Sequence, residues 1–98
     1  MKVLKNIQGS NIFTYFDSSN ILRGVYDMNQ MSLTITFKDG KTYKYKNIPN
    51  RIFVQFERAE SQGKYLNYHI KPYYDFERLE NVEVDEMKKT IEQNKKRS

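Results

Sequence analysis

In residues 33–45 (LTITFKDGKTYKY), aliphatic and aromatic side chains recur at every second position. Such alternation of apolar and polar residues is typical of antiparallel strands that bury one face. Asp39-Gly40 interrupts the alternation with a dipeptide that favours a tight turn. The segment therefore predicts a β-hairpin.

The length of the turn decides which face of the hairpin its two tyrosines occupy, because a shift of one residue moves every side chain of a strand to the opposite face. A two-residue turn at residues 39–40 directs both tyrosines away from the apolar face. The pairs would be Tyr43 with Thr36 and Tyr45 with Thr34. Aromatic rings displayed in this way on an open sheet can stack single-stranded RNA bases.

A three-residue turn at residues 38–40, with a left-handed glycine in a bulge, gives the opposite arrangement. The pairs become Tyr43 with Ile35 and Tyr45 with Leu33. All apolar side chains then share one face, and two phenol rings are buried beside aliphatic partners. We favour this register, which makes the tyrosines core residues first and base-stacking residues second.

Further strands are predicted before the hairpin. The aromatic run at residues 12–16 and the alternating run at residues 21–27 both have the composition of strands. Asn29 and Gln30 supply the turn that leads into the hairpin. Together these segments predict an antiparallel meander of three to four strands with one apolar face.

Two short helices follow and can cover that face, so the expected fold class is α+β. Residues 49–59 place apolar side chains at helical spacing after a proline suited to the first turn. Ser61 can cap a second helix, which Pro72 ends. A last helix over residues 85–94 carries so few apolar side chains that we expect a lid or an interaction arm.

The composition excludes several kinds of site. The 98 residues include no cysteine, which excludes disulfides, thiolate metal sites and thiol catalysis, and the single His69 makes a zinc site improbable. We expect neither a metal nor a cofactor. Because no apolar run approaches membrane-spanning length and the N-terminus lacks the pattern of a signal peptide, we expect a cytoplasmic protein that does not enter a membrane.

The order and spacing of motifs over roughly residues 19–74 resemble the KTSC domain family. The matching motifs are Val25-Tyr26-Asp27, Leu33-x-Ile35-x-Phe37-x-Asp39-Gly40, Tyr43-x-Tyr45, Ile48-Pro49 and Ala59-x-Ser61-x-Gly63-Lys64-Tyr65-x-Asn67-x-x-Ile70-Lys71. The family takes its name from a region at the C-terminus of some lysyl-tRNA synthetases and also occurs as small bacterial and phage proteins. Its function is not established, although RNA binding has been suggested. The resemblance implies a KTSC-like domain at residues 18–74, an N-terminal extension with a strand at 1–17 and a charged helical extension at 75–98.

Residues 61–65 (SQGKY) are the best candidate for a small binding site. Ser61 would cap a helix whose free N–H groups favour a phosphate, Gly63 would allow close approach, and Lys64 would supply charge. The residues that can extend this polar surface are Asn67, His69 and Lys71. A plain corner between two helices explains the same residues without a ligand.

We do not expect an enzyme. His69 has no serine, cysteine or carboxylate at a recognisable catalytic spacing. Asp27 and Asp39 fall at the ends of predicted strands, where aspartate commonly stabilises turns.

The first functional hypothesis is a non-enzymatic RNA-binding module. The formal net charge is +5, and a basic protein attracts polyanions, although a lysine-rich surface can also be merely solvated. The residues expected to contact nucleic-acid phosphates or bases are Lys38, Lys41, Lys44, Lys46, Ser61, Gly63, Lys64, Asn67, His69 and Lys71, with Tyr43, Tyr45 and Tyr65 as the aromatic members.

The alternative is a phage-encoded accessory protein that binds a host protein or sequesters a nucleotide ligand, and so inhibits host machinery or defence. The N-terminal strand and the C-terminal helix would form its recognition surface, and self-association would be compatible with it. An exposed apolar patch at Val84, Met87 and Ile91 would favour this alternative. Tyrosines displayed on an open basic sheet would favour RNA.

Overall fold

The computed structural model describes residues 1–95 and has an α+β fold, with six antiparallel strands in one sheet that follows chain order. The strands are β1 (Lys2–Gln8), β2 (Asn11–Phe16), β3 (Ile21–Asp27), β4 (Ser32–Phe37), β5 (Thr42–Tyr45) and β6 (Phe76–Leu79). The helices are α1 (Asn50–Arg58), α2 (Gln62–Tyr65) and α3 (Asp85–Lys95), and α2 continues into a π-helical turn (Leu66–Ile70). Residues 96–98 of the predicted C-terminal extension lie outside the described residues.

The expected count of three to four strands was too low. β1 pairs with β2 across a two-residue turn in which Gly9 has a φ of +60°, and β6 pairs with β5. Neither added strand has a clear period-two apolar pattern, since β1 reads KVLKNIQ and β6 reads FERL. Both lie at the edges of the sheet and are mostly exposed, so main-chain hydrogen bonds to one neighbour hold them with little help from buried side chains.

The hairpin of β4 and β5 has the register that we favoured from the sequence. The pairs are Leu33 with Tyr45 and Ile35 with Tyr43, across a three-residue turn at 38–40. Gly40 has the left-handed φ of +89° that this turn needs. The prediction of a shared apolar face is thereby confirmed.

Gly40 also lies against the segment that leads to α3. The Val82 N–H donates to the Gly40 carbonyl at 3.0 Å. A Cβ added at Gly40 would lie only 2.7 Å from the Val82 carbonyl oxygen. Glycine is therefore required at this position for its backbone conformation and, independently, for the close approach of another segment.

The centre of the core consists of aromatic rings from α1 and from the sheet. Phe53 stacks on Tyr26 with ring centroids 4.4 Å apart, and Phe56 packs edge-on against Phe16 at 5.3 Å. All four side chains are almost completely buried. The Tyr26 hydroxyl donates to the Ile48 carbonyl at 2.7 Å, which gives this buried polar group a partner.

Tyr45 is expected to make the protein sensitive to alkaline pH. Burial, and then the neighbouring Tyr43, raises the pKa of Tyr45 from its usual 10.0 to about 12. The neutral phenol thus favours the folded state below pH ~10, and this contribution is lost as the pH rises towards ~12, with an upper limit of about 2–3 kcal/mol. Urea unfolding at about pH 9 and about pH 11 should show a smaller loss of stability for Tyr45→Phe than for the wild type. Equal losses in the two proteins would contradict this assignment.

α3 packs on the sheet and is not a free arm. It contacts β1, β2 and β3, and Ile91 on its inner side is only 6 % exposed. The Lys95 Nζ lies 3.5 Å from the carboxylate of Asp17, in the loop after β2. Val84 and Met87 are half-buried. The stripe that would have favoured a protein partner is therefore largely covered by the fold itself.

Candidate functional site

A cleft opens beside the turn between β4 and β5, and we call it the aromatic cleft. Its volume of about 400 Å³ lies within the range of small-molecule pockets. The residues that line it are Ser19, Asn20, Phe37, Lys38, Asp39, Lys41 and Tyr43. The loop between β2 and β3 and the end of the central hairpin thus form its walls.

Two half-buried rings supply the apolar wall of the aromatic cleft. Phe37 and Tyr43 lie on adjacent strands, with centroids 6.0 Å apart and planes at 82°. Phe76 of β6 packs edge-on against Tyr43 at 5.7 Å. Tyr43 is only half-buried, whereas Tyr45 is 2 % exposed. Of the two hairpin tyrosines, only Tyr43 can therefore meet a ligand. Tyr45 is a core residue, as the favoured register predicted, and its alternative role as a nucleic-acid contact is wrong.

Cationic side chains lie over both rings of the aromatic cleft. The Lys71 Nζ is 5.9 Å from the centroid of Phe37, and the Arg78 Cζ is 5.8 Å from the centroid of Tyr43. Both distances fall within the range of cation–π attraction. At the rim, the Lys41 Nζ lies 3.7 Å from the carboxylate of Asp39. The cleft therefore combines aromatic surface with positive charge.

The polar wall of the cleft is held in place by the start of α2. The Asn20 carbonyl accepts the Lys38 N–H at 2.8 Å. On its other side, the Asn20 amide approaches Gly63 so closely that a Cβ there would lie 2.9 Å from the Asn20 Oδ1. Gly63 is buried, so the absence of a Cβ makes room for the Asn20 side chain and not for a phosphate. The predicted contact between Gly63 and a ligand is corrected accordingly.

Most of the other residues predicted around α2 line a separate groove of about 370 Å³. Its polar and aromatic members are Glu60, Ser61, Lys64, Tyr65, Tyr68 and His69. Ser61 accepts the Lys64 N–H at 3.3 Å, which confirms the predicted helix cap. The His69 ring lies 4.7 Å from that of Tyr65, whose hydroxyl donates to Gln55 at 2.7 Å. Burial raises the pKa of the Tyr65 hydroxyl above its usual value.

The remaining predicted residues lie elsewhere on the surface. Lys44 donates to the Gln30 side chain at 3.2 Å, and the Lys46 Nζ is 3.9 Å from the carboxylate of Glu77. Both lysines line a third groove, and Asn67 is exposed on the π-helical turn. Of the predicted residues, Lys38, Lys41 and Tyr43 line the aromatic cleft, and Lys71 lies over its Phe37 ring.

Sequence reasoning missed several residues of the aromatic cleft. Phe37 was assigned to the core because it continues the alternation of β4, and Ser19 and Asn20 fall between the two strands predicted at residues 12–16 and 21–27. Arg78 lies in a strand that was not predicted. The available signal was the position of Phe37 beside the turn, where the sheet ends and full burial is harder to achieve.

The described residues give no indication of a metal site or of a membrane span. Within residues 1–95, no three histidine, aspartate or glutamate side chains are grouped in a way that suits a metal ion. Over the same range, no helix combines the length and the apolar character needed to cross a bilayer.

Comparison with known proteins identifies the family. The model of the KTSC domain matches residues 17–74. The chain belongs to the KTSC family. A crystal structure of a KTSC domain protein from Yersinia pestis superposes with a TM-score of 0.66 at 29% identity, over 69% of this chain and 96% of that one. A protein from Tsukamurella paurometabola is 36% identical over 56 residues, which are 57% of this chain and 84% of the relative.

The KTSC match contains the three central strands β3, β4 and β5, together with α1, α2 and the π-helical turn. β1, β2, β6 and α3 lie outside residues 17–74, yet the strands join the same sheet and α3 packs on it. All the lining residues of the aromatic cleft belong to the matched region, and Arg78 of β6 is added from outside it. The cleft therefore lies in the KTSC domain itself.

Proposed function

We propose that this KTSC domain is a non-enzymatic module that binds single-stranded RNA, with an unstacked base in the aromatic cleft. The observation that supports this most directly is the pair of half-buried rings with Lys71 and Arg78 lying over them. Recognition of single strands commonly combines aromatic rings, on which bases stack, with cations that follow the backbone.

The cleft offers a partner for each part of a nucleotide. A base can lie against Phe37 and Tyr43, and each stacked base typically contributes about 1–3 kcal/mol. Ser19 and Asn20 supply a hydroxyl and an amide that can hydrogen-bond to base edges. Lys38 and Lys41 lie where they can meet the phosphates on either side.

Three of the cations around the cleft are not engaged in ion pairs within the described part of the chain. Among residues 1–95, no acidic side chain lies within ion-pair distance of Lys38, Lys71 or Arg78. An RNA phosphate would therefore not have to displace an existing ion pair at these three positions. The overall charge of +5 favours the same class of ligand.

Binding of a fluorescently labelled single-stranded RNA octanucleotide should weaken steeply with salt and depend on Tyr43. If three phosphates are neutralised, the log–log slope of affinity against salt should be about −2, since each contact on a single strand contributes about −0.7. Tyr43→Leu should lower the affinity by roughly tenfold or more, because it removes the stacking surface and keeps an apolar side chain. Fluorescence anisotropy at two salt concentrations measures both effects.

The matched control is Tyr68→Leu, which changes a tyrosine that is 68 % exposed in the groove beside α2. The thermal unfolding midpoint of each variant shows whether its fold is retained. A loss of affinity in Tyr68→Leu but not in Tyr43→Leu would move the site to that groove. Absence of binding at low salt would overturn the RNA proposal as a whole.

A further inference from the structure

We infer that the ligand is a strand of several nucleotides whose backbone leaves the aromatic cleft over Lys38 and continues along a second cleft beside α3. This inference rests on the proposed function and specifies the length and path of the RNA. The observation behind it is that Lys38 lines both clefts. One side chain therefore joins two concave surfaces on either side of the loop between β2 and β3.

The second cleft, which we call the α3 cleft, has a volume of about 330 Å³ and lies between α3 and the junction of β2 with β3. Leu22 and Ile91 form its floor with only 3 % and 6 % of their surface exposed, and Ser18 contributes a hydroxyl. Lys38 lines it on the hairpin side and Lys88 on the helix side. The arrangement places two cations on opposite sides of a concave surface with a hydroxyl at its edge.

The two acidic residues of the α3 cleft share one cation, so the lining, with three lysines and two carboxylates, has a formal charge of +1. The Lys95 Nζ lies 3.5 Å from the carboxylate of Asp17 and 3.8 Å from that of Glu92. In contrast, Lys38 and Lys88 form no ion pair with any other residue in the described range 1–95. A phosphate backbone that follows the α3 cleft can therefore meet both lysines without displacing an existing ion pair.

α3 lies outside the residues that match the KTSC family. The aromatic cleft would then bind one end of the RNA with residues of the family region, and α3 would extend the path with residues of the flanking segment. We therefore expect Lys88 to contribute to the binding of a longer strand and not to that of a mononucleotide or dinucleotide in the aromatic cleft.

The experiment compares a uridine dinucleotide with an octauridylate on the full chain, using the wild type, Lys88→Ala and Lys89→Ala. Lys89→Ala is the matched control, because it removes the same charge from α3 at a side chain that does not line the α3 cleft and lies 3.7 Å from Glu86. We expect the wild type to bind the octanucleotide more tightly than the dinucleotide. Lys88→Ala should weaken octanucleotide binding about fivefold at roughly 0.1 M salt and reduce the salt slope by about 0.7, while dinucleotide binding stays unchanged.

The outcomes separate the inference from the function on which it rests. Equal affinities for the two oligonucleotides, or equal losses in Lys88→Ala and Lys89→Ala, would overturn the path over α3 and leave RNA binding in the aromatic cleft intact. If neither oligonucleotide binds, the proposed function fails together with the inference. Unchanged thermal midpoints in both variants exclude unfolding as the cause of a loss.

Discussion

Gly40→Ala is expected to lower the free energy of unfolding by about 3 kcal/mol. The first reason is the φ of +89°, which an L-residue adopts only with strain of roughly 1–2 kcal/mol. The second is the 2.7 Å distance between the new Cβ and the Val82 carbonyl oxygen, which forces backbone to move. Because Val82 also donates a hydrogen bond to Gly40, the segment leading to α3 should loosen with it. Urea or thermal unfolding followed by circular dichroism measures the change.

Gly9→Ala is the matched control for this substitution. Gly9 also has a positive φ, of +60°, but a Cβ built there has no atom within 4 Å. The free energy of unfolding of this variant should therefore fall only by the cost of the backbone conformation, about 1–2 kcal/mol. The difference between the two variants isolates the contact with Val82, and equal losses would show that this contact contributes nothing.

Glu57→Ala is expected to lower the free energy of unfolding by a similar amount, about 3 kcal/mol. Glu57 is 6 % exposed on α1, and its two carboxylate oxygens have different partners. One oxygen accepts a hydrogen bond from the buried Thr14 hydroxyl at 2.7 Å. The other accepts a hydrogen bond from the Lys5 ammonium at 3.2 Å. This side chain therefore ties α1 to both β2 and β1, and its removal leaves the Thr14 hydroxyl buried without its acceptor.

Two further variants test that explanation by chemical denaturation. Glu60→Ala removes the same charge from an exposed position, and its effect should stay within about 0.5 kcal/mol. Thr14→Val combined with Glu57→Leu should recover much of the stability, because apolar groups then replace both partners of the hydrogen bond. The Lys5 side chain is 36% exposed and can return to water. If Glu57→Ala and Glu60→Ala lose the same amount, the buried network is not stabilising.

The sequence was most informative where the interacting residues are close together in the chain. The register of β4 and β5 depends on a three-residue turn and on side chains within the same hairpin, so alternation and turn chemistry were sufficient to predict it. Ser61 and the helix that it caps were predictable for the same reason, because a cap acts over three residues.

Features that depend on distant contacts could not be predicted in this way. Lys5 and Glu57 are 52 positions apart, and nothing local distinguishes Glu57 from exposed Glu60. β6 is a strand because β5 offers it an unpaired edge, not because FERL has strand periodicity. The position of Arg78 over the Tyr43 ring follows from that pairing. It could not be predicted because the pairing itself could not be predicted.

At the aromatic cleft, the alternation of apolar residues predicted the sheet correctly but identified the binding residues only in part. Alternation placed Tyr43 and Tyr45 on one face, and the structure confirms it. However, burial changes along that face, from 2 % exposure at Tyr45 to a half-buried ring at Tyr43 near the turn. Sequence periodicity reports the face but not the distance from the rim, so it could not separate the core ring from the ring that is available to a ligand.

The pairing of β2 with β3 and of β6 with β5 also limits how this protein can join other chains. In residues 17–74 alone, β3 and β5 would be the outermost strands, and their free main-chain groups could accept an extended peptide by β-augmentation. Here the flanking segments of the same chain occupy both positions. Within the described residues, the unpaired sides belong to four-residue β6 and to β1, which carries Lys2 and Lys5. The shortness of β6 and the charge of Lys2 both discourage edge-to-edge polymerisation, so we expect the flanking segments to protect the sheet from aggregation.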